Sequence, residues 1–232
     1  MSVPRGRPVR PPSSGPVDAA DLPCSAHDRV LLVGEGDLSF ALALARALGT
    51  GANLVATTYD AEAELREMYA PWVARTLRDL RGLGAAALHG VDATRLHEPA
   101  LRGRLDPAGA GFRLVVWNHP HAGFPAEPHG PGFEQGAGWQ GRHRRLVGAF
   151  LASAAQVLAP GGEVHLAHKA GPPFDGWDLP ALAGEAGLQL LGSEPFPQDL
   201  FPTYVNRRGA GKKPAKMFPM HDSVRFRFGR GD

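Results

Sequence analysis

The apolar run Val30-Leu31-Leu32-Val33 ends at Gly34-Glu35-Gly36-Asp37 and passes at once into Leu38 to Leu48, whose apolar residues repeat as a helix requires. A buried strand that turns through glycines into a helix commits the chain to an α/β layer architecture, because each such unit needs a neighbouring strand to cover it. The rest of the chain keeps the alternation. Strands are expected in "ANLVATTYD", "GAAALHGVDAT", "GFRLVVWNHP", "EVHLAH", Leu188 to Leu191 and "SVRFRF". Helices are expected over Ala61 to Leu83 despite Pro71, over a stripe running from Leu146 to Leu158 and closed by Pro160-Gly161-Gly162, and over Leu179 to Ala186. The pattern predicts a mostly parallel seven-stranded sheet with helices on both faces and a ligand crevice at the carboxyl ends of the strands, where the strand order reverses.

At 232 residues and 43% hydrophobic content the chain suits one core. Residues 1–28 are rich in Pro, Ser and Arg and read as a disordered basic arm, leaving 29–232 as a single domain. The one cysteine, Cys24, offers neither a disulfide framework nor a multi-cysteine zinc site and fits a reducing, intracellular setting. No metal is expected. No stretch approaches the ~18 to 20 apolar residues of a membrane span, and the N-terminus lacks the apolar core of a secretory signal, so no membrane association is expected.

The loop spelling is Gly-x-Gly-x-x-Ser, an incomplete dinucleotide fingerprint, and no Gly-Lys-Ser/Thr follows to make a phosphate loop. Glu35 and Asp37 stand where a pyrophosphate would lie, and like charges ~5 Å apart at an effective dielectric of ~20 repel by ~3 kcal/mol. S-adenosylmethionine carries no phosphate and is cationic, so the same acids favour it. They also suit an ordinary helix N-terminus, where the macrodipole welcomes negative charge. Asp60, at the end of the second strand, is placed for ribose hydroxyls, and Asp92, after the third, for an adenine amino group; either is equally a common turn residue. The expected cofactor set is Gly34, Glu35, Gly36, Asp37, Asp60, Asp92 and Asn118.

The blocks "LLVGEGDLSFALALA", "TTYDAEAEL", "HGVDAT", "VVWNHPHAG", "GEVHLAHKAGPPFDGW" and "FPTYVNRRG", in that order from about residue 29 to about 211, resemble those of the large-subunit rRNA (uridine-N3)-methyltransferase family known from fungi. The resemblance implies a Rossmann-like class I methyltransferase that uses S-adenosylmethionine and methylates a uracil ring nitrogen in ribosomal RNA, free or within a pre-ribosomal particle. Such an enzyme would be cytoplasmic in a bacterium and nucleolar in a eukaryote. The chain departs from the family at His119, where Phe is usual, and at Pro202-Thr203-Tyr204, where Pro-Gly-Tyr is usual.

In that frame Asn118 holds the base, His121 is the preferred aid to proton loss from N3 with His119 second, and Lys169 stabilises the developing anion. Each has a plainer reading, as a loop hydrogen bond or a solvated lysine. Carbon-5 methylation is excluded because it needs a cysteine nucleophile near the ring, and the only cysteine precedes the first strand. The expected RNA contacts are Arg144 and Arg145, within the run Arg142 to Arg145, then Phe174, Tyr204, Arg207 and Arg208, with Lys212, Lys213 and Lys216 nearby. The target is expected to be single-stranded or flipped out. The competing readings are methylation of another RNA or a small heterocycle, and an inactive methyltransferase-fold assembly factor.

Overall fold

The computed structural model describes residues 19–123, 136–209, 213–220 and 222–231. Seven strands form one sheet: β1 (Val30–Val33), β2 (Leu54–Thr57), β3 (Ala86–Leu88), β4 (Phe112–Asn118), β5 (Leu158–Lys169), β6 (Leu188–Pro195) and β7 (Ser223–Arg230), in the order β3-β2-β1-β4-β5-β7-β6. The pairings from β3 to β5 are parallel, and β7 inserts antiparallel between β5 and β6. This is the Rossmann-like class I methyltransferase architecture. The order reverses between β1 and β4, which opens a crevice above their carboxyl ends.

Successive residues of β1 serve opposite faces of the sheet. Val30 and Leu32 join one apolar cluster with helices α1 (Ser39–Leu48), α2 (Glu62–Met68) and α3 (Trp72–Gly82). Leu31 and Val33 join the other with α4 (Pro99–Leu105), α5 (Ala137–Ala155) and α6 (Leu179–Glu185). Helix α1 is apolar nearly all round because it is covered twice. Phe40 to Ala45 are all buried, and Phe40 meets Phe201 and Tyr204 edge to face at 4.9 and 5.2 Å.

Several boundaries differ from expectation for identifiable reasons. Pro71 breaks the helix expected over Ala61 to Leu83 into α2 and α3, since proline lacks the amide that a continuing helix needs. The long helix ends at Ala155, and Leu158 opens β5. Pro160-Gly161-Gly162 lies inside that strand as a bulge, where a Cβ on Gly162 would sit 2.6 Å from the Phe112 carbonyl oxygen. Helix α4, absent from the sequence reading, buries Leu105. Strand β6 runs on to Pro195, beyond the expected Leu191. Residues 19–28, assigned to the arm, pack on the domain: Leu22 and Cys24 lie against the α1 cluster, and Asn53 Nδ2 donates to the Ala26 carbonyl at 2.9 Å. Burial pushes the Cys24 thiol up to about 12. Residues 1–18 lie outside the described residues. None of the described helices is long and apolar enough to cross a membrane.

Candidate active site

A cavity of about 600 Å³ opens at the switch point, lined by the loops after β1, β2, β3 and β4 and by residues 204–209. Two glycines shape its floor. Gly34 has φ +62°, and a Cβ there would fall 2.2 Å from the Trp117 indole nitrogen; Gly36 would bring one 3.1 Å from the Tyr69 hydroxyl oxygen. At Gly34 both the left-handed backbone and the Trp117 indole exclude a side chain, and at Gly36 the Tyr69 hydroxyl leaves little room for one.

The acids of this loop are not the free anions that the charge argument assumed. Glu35 is buried, its Oε2 accepts the Ala41 amide at 3.1 Å, and desolvation, aided by Asp37, pushes its carboxyl up to about 8. It is therefore largely neutral at pH 7 and serves the start of α1. Asp37 accepts the Ser39 amide at 3.0 Å and pairs with Arg207 Nε at 2.5 Å. The helix-terminus reading accounts for much of both. The uncommitted acid is Asp60: it lines the cavity, no other described residue donates to its carboxylate, and desolvation with Glu64 raises its pKa. Asp92 spends Oδ1 on the amide and hydroxyl of Thr94 at 2.9 and 2.7 Å, capping a short turn, and no hydrogen bond from the described residues reaches its Oδ2.

Across the cavity, β4 ends in Asn118, whose Nδ2 is buried with no partner among the described residues. His119 follows with φ +53°, a left-handed backbone rare outside glycine, and its amide donates to the Ala167 carbonyl at 2.8 Å. Its ring sits near Phe196 and Phe218, as the usual Phe would, and burial holds it down at about 3. His121 accepts the Gly123 amide on Nδ1 at 3.0 Å, faces the His143 ring edge to face at 4.8 Å, and is held at about 4 by burial. His143, fully buried, takes the Ala122 amide on Nε2 at 3.1 Å and bonds the Trp139 carbonyl through Nδ1 at 2.9 Å, so it fixes this loop as a neutral ring.

The residues expected to meet RNA separate in space. Tyr204, Arg207 and Arg208 line the cavity; Lys169, Phe174, Arg144 and Arg145 do not. Tyr204 packs on Phe40 and donates to Asn206 Oδ1 at 3.3 Å, so its ring is a packing element here. Arg207 is committed to Asp37, to the Ala215 carbonyl at 2.7 Å and to the face of Trp72 at 4.5 Å. Arg144 donates to the Trp177 carbonyl at 2.6 Å, which ties α5 to the turn at 174–177. Phe174 sits among Trp139, His168 and Trp177, and the Lys169 ammonium lies 5.8 Å from the centre of the Phe218 ring. That leaves Arg145, Arg208, Lys213 and Lys216 exposed, while Lys212 lies outside the described residues. Residues 124–135, rich in glycine and proline, lie outside them as well. Among the described residues no group of three His, Cys, Asp or Glu side chains is arranged to hold a metal ion.

Sequence reading missed Ser39, whose hydroxyl donates to the Val205 carbonyl and accepts its amide, both at 3.1 Å, and it missed Asn206. The available signal was the block "FPTYVNRRG" itself, a fixed pattern with no evident strand or helix period.

Comparison with known proteins adds the remaining evidence. A family described as BMT5-like, rRNA (uridine-N3-)-methyltransferase, matches residues 31–208. Heavy metal-associated isoprenylated plant protein 41 of Arabidopsis thaliana is 38% identical over 205 residues, covering 88% of this chain and 37% of that protein. An uncharacterized Arabidopsis thaliana protein is 33% identical over 208 residues, covering 88% of this chain and 93% of that one. The chain thus spans little more than a third of the first relative and nearly all of the second. Among solved structures, TrmN from Thermus thermophilus is similar at 20% identity and a TM-score of 0.49, over 91% of this chain and 46% of that one. A match that starts in β1 and ends in the segment closing the cavity, on a sheet whose order reverses above that cavity, shows that this chain belongs to the BMT5-like rRNA (uridine-N3-)-methyltransferase family.

Proposed function

We propose that this chain methylates N3 of a uridine in large-subunit ribosomal RNA, free or within a pre-ribosomal particle. The observation that carries the reading is Asn118 Nδ2, a buried amide donor without a partner among the described residues, in the same cavity as the glycine loop. A pocket with one donor at the tip of β4 suits a planar base whose reactive nitrogen lies between two carbonyl oxygens.

When bound, S-adenosylmethionine supplies an electrophilic methyl group on its sulfonium. The base must lose the N3 proton, whose pKa lies roughly 2 to 3 units above neutral, so release to solvent at pH 7 costs ~3 to 4 kcal/mol. Transfer to His121, held at about 4, crosses roughly 5 to 6 units and costs ~7 to 8 kcal/mol. Release to solvent wins. His121 then shapes the loop and the donor work falls to Asn118: the charge left on O2 and O4 makes its hydrogen bond a charge-assisted one, worth more to the anion than to the neutral base. His119, neutral, packs behind it. The exposed Arg145, Arg208, Lys213 and Lys216 provide phosphate contacts and make RNA affinity fall with salt. A flipped or single-stranded uridine is required, since N3 is hidden in a duplex. Such a substrate puts the enzyme where ribosomes are assembled, the nucleolus of a eukaryote or the cytoplasm of a bacterium.

Asn118→Ala tests this. Turnover should fall on the order of 100-fold, the usual cost of one preorganised donor, while RNA affinity stays within about twofold. Unchanged turnover would remove Asn118 from the reaction.

A further inference from the structure

Asn206 is 9% exposed and lines the cavity, yet its Nδ2 is buried without a partner among the described residues. Everything else about the residue is fixed. Its carbonyl accepts the Phe218 amide at 3.4 Å and its Oδ1 accepts the Tyr204 hydroxyl at 3.3 Å. Val205 before it is bonded both ways to Ser39 at the start of α1, and Arg207 after it is paired with Asp37 of the glycine loop. A buried amide donor held this firmly is costly to leave unsatisfied, so a ligand acceptor is the expected partner.

The position selects which acceptor. On the β2 and β3 side the cavity is lined by Asp60 and Asp92, the acids expected to take the adenosine half of the cofactor. Asn118 faces the base from β4. Beside the glycine loop, the hydroxyl of Ser39 and the guanidinium of Arg207 are committed to protein partners, and Asp37 only accepts. Asn206 is the uncommitted amide donor there, and the amino-acid half of S-adenosylmethionine brings a carboxylate that needs one.

We propose that Asn206 donates to the carboxylate of the cofactor's methionine moiety, so that residues 204–209 form a wall of the cofactor site, with the Arg207–Asp37 pair as its positioning element. This rests on S-adenosylmethionine being the methyl donor. The test is calorimetric binding of two ligands to the full chain: S-adenosylhomocysteine, which keeps the amino-acid half, and 5′-methylthioadenosine, which lacks it. Asn206→Ala should weaken S-adenosylhomocysteine about tenfold or more and leave 5′-methylthioadenosine within twofold, which also shows that the variant is folded. Asn206→Asp, nearly isosteric, should weaken S-adenosylhomocysteine further through charge repulsion. An unchanged S-adenosylhomocysteine affinity, equal losses for both ligands, or tighter binding by Asn206→Asp would each overturn the assignment. Failure of the unaltered protein to bind either ligand would overturn the methyl-donor reading and this proposal with it.

Discussion

Removing the Arg207 guanidinium should unfasten the segment that closes the cavity, and its energetic cost can be worked from the contacts. The Asp37 and Arg207 side chains are 6% and 16% exposed, so solvent screens the pair little. Arg207→Ala leaves Asp37 as a buried carboxylate with no cation, a loss that typically costs about 3 to 5 kcal/mol. The hydrogen bond to Ala215 and the contact with Trp72 go with it, and they overlap with that figure rather than adding to it. For a chain of this size each kcal/mol lowers the melting temperature by roughly 2 to 4 °C, so a fall of about 6 to 20 °C is expected. Urea unfolding at pH 7 measures it, and the loss should persist at high salt, unlike that of a surface pair. Asp37→Asn combined with Arg207→Met removes both charges and should cost clearly less than the sum of the single changes. A loss below about 1 kcal/mol in Arg207→Ala, or strict additivity in the double variant, would refute the reasoning that this pair holds residues 204–209 in place.

Asp60→Asn should weaken S-adenosylhomocysteine about tenfold or more, measured by calorimetry, with the urea midpoint nearly unchanged because the carboxylate has no structural partner. Glu35 titrates at about 8 in the fold against an ordinary 4.5, so the folded state holds the extra proton and stability falls as pH rises from about 4.5 to about 8. His119, His121 and His168, held at about 3, 4 and 4, act in the opposite sense: the unfolded chain takes up their protons below about 6.5, and stability falls as pH drops from there toward 4. Near pH 7 the histidines still take up protons in the unfolded chain and oppose Glu35, but above about pH 7.5 they are almost wholly neutral in both states, so Glu35→Gln should flatten the decline that urea titrations of the unaltered protein show from there to about pH 8.5.

Much of the fold was legible because it is encoded locally. The strand, glycine loop and helix at Val30 to Leu48 announce themselves within twenty residues, and the later alternation repeats the message. What was not legible depends on contacts remote in sequence. The glycines of β5 read as a helix stop until β4 supplies the carbonyl that they must clear. Helix α4 has only seven residues and one buried side chain, too little periodicity to register. The site divides the same way. Residues at the carboxyl ends of strands were found because topology alone puts them there. Their roles were set from elsewhere: the partner of Asp37 lies 170 residues away, and Glu35 turns inward to Ala41. Arginines are likewise indistinguishable in sequence whether they meet phosphate or backbone carbonyls, so Arg144 and Arg207 read as RNA contacts until the packing was visible.

Whether this pocket methylates uracil N3 can be read directly from the product RNA. The direct measurement is to incubate the protein with isotopically labelled S-adenosylmethionine and unmodified large-subunit rRNA, digest the RNA, and identify labelled nucleosides by mass spectrometry. Label is expected in 3-methyluridine, nearly abolished by Asn118→Ala. Label in a different nucleoside, or none despite measurable cofactor binding, would contradict it.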